Sequence, residues 1–305
     1  MRIVHLSDVH VQADYRRLPL RRLGWRRAVA QLEWLGLGRA RRYAGALAAL
    51  EEAVAQIVRL APNHVVVSGD LTALALEEEF VWARAALEPL ARPGLLSVVP
   101  GNHDRYTAHA AKERRFERHF GDLLRSDLPE AAGSRGYPFV RLVGEELAVI
   151  GLDSTRLAPM PGLSFGRVGR EQMHALSRLV DAPALRERAL CVLVHHAPLR
   201  QSGRPDRLTH GLLDGAQLLR LLAGRRCTLH HGHVHRRYWH RSLQGRPHLF
   251  NAGSATERGH EGYWIVDWTA DGGVTAREQS LGVAAAGEAR GARRGGEARR
   301  TAGAG

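Results

Sequence analysis

Five short apolar segments of this sequence each run into a polar turn that contains aspartate, histidine or asparagine. The turns are Asp8-Val9-His10, Gly69-Asp70, Gly101-Asn102-His103-Asp104, His195-His196 and Gly232-His233-Val234-His235. Short apolar runs bounded by turn residues are typical of buried strands. In α/β sheets the loops that follow several strands converge at one rim. We therefore expect these five distant turns to meet in the folded chain.

Stretches with helical spacing of apolar residues alternate with the strands. They predict helices at 46–60, 77–90, 108–120, 170–180 and 214–223. Strands are predicted at 2–6, 137–140, 147–152, 189–194, 227–230, 238–243, 248–251, 262–268 and 274–279. Two more strands, each counted with the turn that follows it, are predicted at 64–70 and 95–104. Strand–helix units followed by hairpins predict an α/β sandwich with one mixed sheet in each half.

Residues 15–43 interrupt this pattern with nine arginines, two tryptophans and several leucines. We predict an insertion of amphipathic helices after the first strand. Two interpretations stay open for it. It either packs on the core as a cap, or it forms a basic, apolar surface for peripheral contact with a membrane and a lipid headgroup.

The net charge of +13 does not by itself indicate a nucleic-acid partner. Lys112 is the only lysine, and the arginine excess accompanies an Ala-, Gly- and Leu-rich composition. Part of the charge falls in residues 282–305, which lack apolar periodicity and predict a disordered basic tail after a domain at 1–281. We expect no nucleic acid as a partner.

The first residues, RIVHLSDVH, predict a β-strand and lack the longer apolar stretch expected of a signal peptide. The sequence contains no apolar run of about 18 residues, so we expect no membrane-spanning helix. Its two cysteines, Cys191 and Cys227, have no CxxC partner, which argues against disulfides and a thiolate metal site. We expect a cytoplasmic protein, with the inner face of the membrane as the alternative location if residues 15–43 bind lipid.

The residue types in the five turns suit metal ions. Imidazole nitrogen binds Zn, Fe and Mn, and carboxylate and amide oxygens suit harder divalent ions. In D-x-H and H-x-H segments, side chains one residue apart face the same side of extended backbone. A single such segment is a weak signal, because aspartate often begins a turn. Five in this order predict a metal centre.

The motifs SDVH, SGDLT, GNHD, VHHAP and GHVH resemble, in this order, those of the calcineurin-like metallophosphoesterase superfamily. The resemblance covers residues 1–279. It implies a four-layer αββα sandwich of two mixed β-sheets flanked by helices. It also implies a dinuclear centre of divalent or mixed-valence transition metal ions, namely Mn, Fe or Zn.

The resemblance further implies which side chains hold the two ions. The first ion would take Asp8, His10, His235 and a bridging Asp70. The second would take Asp70, Asn102, His233 and one histidine of VHHAP. Counting back from Pro198 favours His196 for that place, and His195 remains the alternative.

The same resemblance implies a mechanism. A hydroxide that bridges the two ions would attack phosphorus. His103 would stabilise or protonate the leaving alkoxide, and Asp104 would orient that imidazole and hold it protonated.

We expect a phosphodiesterase that acts on a small phosphodiester or a headgroup phosphate, similar to bacterial phosphodiesterases of the superfamily. The alternative is a membrane-surface pyrophosphatase of the UDP-2,3-diacylglucosamine hydrolase type. The basic insertion favours this alternative, but its best-known branch has arginine where this sequence has His103. A non-catalytic metal-binding scaffold is the alternative from another class, and the complete ligand set argues against it.

Overall fold

The computed structural model describes residues 1–14, 27, 39–92, 94–129, 133, 135–160, 162–242, 245, 247–269 and 272–282. Most of the 15–43 segment and nearly all of the expected tail lie outside these residues. The amphipathic insertion and the disordered tail therefore stay predictions. No helix in the described part of the chain is long and apolar enough to cross a membrane.

The first sheet has five strands and combines parallel and antiparallel pairs. Its strands are β1 (Arg2–Leu6), β2 (His64–Val67), β3 (Leu96–Val98), β10 (Gly262–Trp268) and β11 (Val274–Ser280), in the spatial order β11-β10-β1-β2-β3. β1, β2 and β3 run parallel, and β10 returns antiparallel along β1. The carboxyl ends of the three parallel strands therefore lie at one edge.

The second sheet has six strands with the same mixed character. They are β4 (Phe139–Val143), β5 (Leu147–Gly151), β6 (Ala189–Leu193), β7 (Cys227–His231), β8 (Arg237–His240) and β9 (His248–Ala252), in the order β4-β5-β6-β7-β9-β8. The central four strands are parallel, and β4 and β8 close the two edges antiparallel.

Helices cover the outer face of each sheet. In chain order they are α1 (Arg39–Arg42), α2 (Ala46–Leu60), α3 (Glu77–Leu87), α4 (Ala108–Lys112), α5 (Arg115–Phe120), α6 (Arg170–Leu179) and α7 (Gly215–Leu221). Short 3₁₀ turns lie at Glu88–Leu90, Gly121–Leu124 and Pro183–Leu185. Leu50 and Ile57 of α2 pack on Val4 and Val65 of the first sheet. On the second sheet, Leu176 of α6 belongs to a separate hydrophobic core between the helices and that sheet.

A third core lies between the sheets and joins them. Ile3 and Val66 from the first sheet pack with Phe139, Val149 and Cys191 from the second. Successive residues of a strand face opposite sides, so one set of side chains meets the helices and the other meets the partner sheet. The result is the four-layer αββα sandwich of two mixed sheets that the sequence predicts.

The structure differs from the expected elements mainly at their ends. The helix expected over 108–120 is two helices, because Arg114 adopts a left-handed backbone with φ of 50° between them. The strand expected at 137–140 is found at Phe139–Val143, after a cis peptide bond between Tyr137 and Pro138. Both cysteines are free and buried.

Candidate metal centre

The five polar turns meet at the carboxyl ends of β1, β2, β3, β6 and β7. Backbone hydrogen bonds tie the turns to one another across strands. The Asp8 amide donates to the Gly69 carbonyl at 3.0 Å, and the Gly232 amide donates to the His195 carbonyl at 3.0 Å. Between the sheets, the His233 amide donates to the Asp8 carboxylate at 2.9 Å. The turns of the two sheets thus form one rim, as the strand-end positions predict.

Five of the expected metal ligands have a left-handed backbone. They are Asp8, His10, Asp70, His233 and His235, with φ between 49° and 75°. Non-glycine residues seldom adopt this conformation, and where they do it is often at functional sites. This shared conformation therefore sets these five residues apart as candidate functional positions.

Two glycines allow the turns to approach each other closely. A Cβ atom on Gly101 would lie 2.1 Å from Oδ1 of Asp70, and one on Gly232 would lie 2.3 Å from Oδ2 of Asp8. Any side chain at these two positions would therefore displace a carboxylate of the site. Glycine at positions 101 and 232 thus permits the close approach of the turns.

Asp8, His10 and His235 form a first group of candidate ligands. Their donor atoms lie within 4.8 Å of one another. Nε2 of His235 is 3.2 Å from Oδ1 of Asp8 and 3.1 Å from Nε2 of His10. Two imidazole nitrogens that face each other beside a carboxylate are a donor set that a transition metal cation would satisfy.

Asp70, His195 and His233 form a second group of the same kind. Nε2 of His195 lies 3.4 Å from Oδ2 of Asp70 and 3.1 Å from Oδ1 of Asn102. The same Asp70 carboxylate is 3.8 Å from Nε2 of His10 in the first group. Asp70 therefore stands between the two groups, where a bridging carboxylate belongs.

His195, and not the His196 preferred from the sequence, takes part in the second group. Within β6, Cys191 and Leu193 face the partner sheet, whereas Val192 faces the helices. This alternation continues into the turn, so His195 points to the rim between the sheets. His196 instead places Nδ1 2.8 Å from the Ser154 hydroxyl. The geometry and the strand alternation thus favour His195 over His196 as the candidate ligand.

The Asp104 carboxylate is hydrogen-bonded to groups other than the His103 imidazole, which differs from the role expected for it. Its carboxylate accepts hydrogen bonds from backbone amides of Leu71, Thr72 and Gly101 and from the Thr72 hydroxyl. Nδ1 of His103 donates to the Ala73 carbonyl at 2.6 Å instead. Asp104 therefore joins the turns after β2 and β3, and a backbone carbonyl holds the imidazole.

His103 itself lies beside both groups. Its ring is half-buried, and its centroid is 4.8 Å from that of His10 in an edge-to-face arrangement. Its backbone amide donates to Oδ1 of Asp70 at 2.7 Å. Since Nδ1 is engaged by Ala73, Nε2 is on the opposite edge of the ring. The imidazole is thus placed next to the ion-binding groups.

The electrostatics favour an anionic centre of carboxylates. Burial would raise the pKa of Asp70, but His195, His103 and His10 outweigh it and hold the pKa well below its usual range. Burial lowers the pKa of His195, but Asp70, Asp8 and the Ser68 carbonyl together outweigh it and raise the pKa to about 9. Burial also lowers the pKa of His235, but Asp8, Glu257 and Asp70 together outweigh it and raise the pKa to about 9. A bound cation would replace these protons.

Two residues contact His235 that the sequence did not point to. The Tyr43 hydroxyl lies 2.8 Å from Nδ1 of His235 and donates to the Glu257 carboxylate at 3.4 Å. Tyr43 is the last residue of the 15–43 segment, and Glu257 follows β9. Neither is near a metal-ligand motif in the sequence, so no local signal marks them.

Side chains of β9 and of the segment that follows it also hold the turns in place. The Ser254 hydroxyl donates to the Asp8 carbonyl at 2.6 Å, and Nδ2 of Asn251 donates to the Gly232 carbonyl at 2.6 Å. Both side chains therefore hold the backbone of turns that carry candidate ligands.

Comparison with known proteins identifies a family that the chain matches. A model described as calcineurin-like phosphoesterase matches residues 1–237. A dimetal phosphatase from Danio rerio has a similar structure, with a TM-score of 0.61, 16% identity, and coverage of 92% of this chain and 96% of its own. Purple acid phosphatase PPD1 from yellow lupin (Lupinus luteus) seeds has a TM-score of 0.57, 12% identity, and coverage of 92% and 51%. At these identities the two likenesses show the fold. No curated protein matches the chain.

Proposed function

Since the chain belongs to the calcineurin-like phosphoesterase family, whose members use two divalent metal ions, we propose that it is a phosphodiesterase. Hydrolysis of phosphoester bonds follows from the family. The preference for diesters is the proposal. The observation that carries it is the imidazole of His103 beside the two groups of candidate ligands.

We propose the following ligands for the two ions. Asp8, His10, His235 and Asp70 would hold the first, and Asp70, Asn102, His195 and His233 would hold the second. The donor sets fit borderline divalent ions such as Mn, Fe or Zn, because each combines imidazole nitrogen with carboxylate or amide oxygen. Ions bound there supply an activated water and positive charge beside the phosphoryl oxygens.

His103 would act at the leaving group. A phosphodiester expels an alkoxide, a poor leaving group, so a proton donor beside it lowers the barrier. The hydrogen bond from Nδ1 to the Ala73 carbonyl fixes the ring with Nε2 on its other edge. Nε2 is the atom that would hold the proton and give it to the departing oxygen. The ring of Tyr106 stacks on the His103 imidazole with the two centroids 5.5 Å apart, and this contact limits rotation of the imidazole.

The tyrosine and glutamate beside His235 would keep the first group in place. With Nε2 of His235 turned to Asp8 and His10, Nδ1 carries the hydrogen and donates to the Tyr43 oxygen. Tyr43 in turn donates to Glu257. Partners of this kind fix the tautomer and the orientation of a histidine ligand.

The experiment that tests this function compares two synthetic substrates. Purified protein, freed of metal and reloaded with Mn, Fe or Zn, is given bis(4-nitrophenyl) phosphate or 4-nitrophenyl phosphate. We expect metal-dependent release of nitrophenol from the diester, with a higher kcat/KM than from the monoester. A monoester preference would contradict the diesterase assignment, and no turnover of either compound with any metal would contradict the enzyme itself.

A further inference from the structure

A large cavity lies at the carboxyl ends of β3 and β5, beside the turn that carries His103. Its volume is about 880 Å³. Arg105, two residues after His103, forms part of its wall. Thr155 forms another part, next to the Ser154 that contacts His196. The turn after β3, which belongs to the rim, and the segment after β5, which contacts His196, thus both contribute to the cavity.

Basic side chains predominate around the cavity. Its lining includes Arg105, Arg114, Arg135, Arg156 and Arg170 against Glu117, Asp153 and Glu171. Glu117 and Asp153 both pair with the single guanidinium of Arg105. Two of the three carboxylates are therefore engaged with one arginine, and the remaining arginines leave an excess of positive charge. The first turn of α6 also faces the cavity and adds the positive end of a helix dipole.

Arg156 is held in place without being neutralised. Its guanidinium donates to the carbonyl oxygens of Thr155 at 2.6 Å and Val168 at 3.3 Å. Within the described residues no carboxylate lies within 4.0 Å of it. Carbonyl groups orient the planar guanidinium but carry no net charge. Such a preset arginine is suited to bind an oxyanion through two parallel hydrogen bonds.

The wall also contains a buried hydroxyl without a partner. Tyr137 lines the cavity and is only 2% exposed. Its phenolic oxygen makes no hydrogen bond to any residue that the structure describes. Burial and the nearby Asp153 raise the pKa of this hydroxyl, so it keeps its proton and can donate. A buried hydroxyl without an acceptor is costly, and a ligand oxygen would satisfy it.

We propose that this cavity binds a second acidic group, a phosphate or a carboxylate, on the part of the substrate that is not cleaved. Arg156 and the Tyr137 hydroxyl are its binding groups. This inference rests on the proposed function, because it assigns the cavity to the same phosphoester substrate. It makes the enzyme selective for diesters whose second alcohol is itself anionic.

Three 4-nitrophenyl phosphodiesters test the inference. Their second alcohol is ethanol, an alcohol with a carboxylate, or an alcohol with a phosphate group. We expect wild-type protein to favour one or both anionic compounds over the ethyl ester by about tenfold in kcat/KM, the contribution of one charge-assisted hydrogen bond. The carboxylate and phosphate compounds show which acidic group the cavity prefers.

The variants Arg156→Gln and Tyr137→Phe should bring this ratio down toward one, mainly through KM of the anionic compounds. Tyr137→Phe should also leave the melting temperature unchanged or higher, because it removes an unsatisfied buried hydroxyl. Arg178→Gln, on an exposed arginine at the other end of α6, is the matched control and should keep the wild-type ratio.

A wild-type ratio near one, or a ratio that the two cavity variants leave unchanged, overturns the inference while turnover of the ethyl ester keeps the proposed function intact. If no diester is hydrolysed, the proposed function fails and the inference fails with it.

Discussion

The phenolic oxygen of Tyr43 lies 2.8 Å from Nδ1 of His235, on the edge of the ring opposite the nitrogen that faces Asp8. Tyr43 also packs edge-to-face on His10, with ring centroids 4.8 Å apart. One tyrosine therefore contacts two of the three side chains in the first group. This contact connects the end of the 15–43 segment to the metal centre.

Tyr43→Phe should weaken metal binding at the first group by about tenfold, because outer partners of histidine ligands have effects of that size. The phenylalanine ring preserves the packing on His10. Chelator competition measures the affinity, and circular dichroism checks the fold. Tyr263→Phe is the control, since its hydroxyl bonds only Gln56 among the described residues. Equal affinities for Tyr43→Phe and wild type would disprove the role.

Asp70→Asn should remove activity and reduce bound metal from two ions to one or none. Asp70 contributes to both groups, and an amide lacks the charge and the second oxygen that a bridge requires. Metal content by mass spectrometry is the measurement, with the surface variant Asp122→Asn as control. A variant that kept two ions and full turnover would contradict the dinuclear centre.

His195→Ala and His196→Ala are a matched pair, because the two residues are adjacent and both are 0% exposed. Both should destabilise the fold to a similar degree. Only His195→Ala should also lose the second ion, since Nε2 of His195 faces Asp70 and Asn102. The number of ions per chain separates them. Loss of an ion in His196→Ala alone would restore the assignment made from the sequence.

His103→Gln should lower kcat for diesters with an alkyl leaving alcohol by about 10² to 10⁴, the range of general acid catalysis, and keep both ions bound; 4-nitrophenyl diesters should be affected much less, because nitrophenolate leaves without a proton. Asp104→Asn should behave differently. It disturbs a carboxylate with four donors, so we expect a loss of roughly 1–3 kcal/mol in the free energy of unfolding. Steady-state kinetics and urea denaturation measure the two effects. A selective loss of kcat in Asp104→Asn, at unchanged stability, would restore its catalytic role.

His64 should make the fold sensitive to mild acid. Its ring is 0% exposed, and burial lowers its pKa from 6.5 to about 4. Between pH 6.5 and pH 4, this histidine therefore binds a proton in the unfolded chain and stays neutral in the folded chain. The stability that neutral His64 contributes is fully present above pH 6.5 and is lost as the pH falls toward 4.

His64→Gln should reduce the loss of unfolding free energy between pH 7 and pH 5 by about 2 kcal/mol, at 1.36 kcal/mol for each pKa unit. Urea denaturation at both pH values measures it. His174→Gln, on an exposed histidine of α6, should keep the wild-type difference. An unchanged pH dependence in His64→Gln would show that other groups cause it.

The rim could be predicted because each candidate ligand lies within a few residues of a strand end. Asp8 and His10 follow β1, and Asp70 follows β2, so the rule for strand ends places them together without knowledge of contacts. The helix boundary at Arg114 could not be predicted in this way, because a left-handed residue there has no glycine or asparagine to mark it.

The choice between His195 and His196 depends on which side of β6 faces the partner sheet. All five residues of β6 are buried, so no polar alternation in the sequence reveals the inner side. The roles of Tyr43 and Glu257 could not be predicted from the sequence either. Each contact with His235 depends on how loops far apart in the chain come together, which motif spacing does not encode.

The left-handed backbone at Asp8, His10, Asp70, His233 and His235 has an evolutionary consequence. Each such residue costs on the order of 1 kcal/mol or more, and surrounding contacts must offset it. A descendant released from selection for catalysis would gain stability by replacing these residues with glycine. Ligand loss in this fold would then be favoured, not merely tolerated, and an intact set of strained ligands is a mark of continued selection for chemistry.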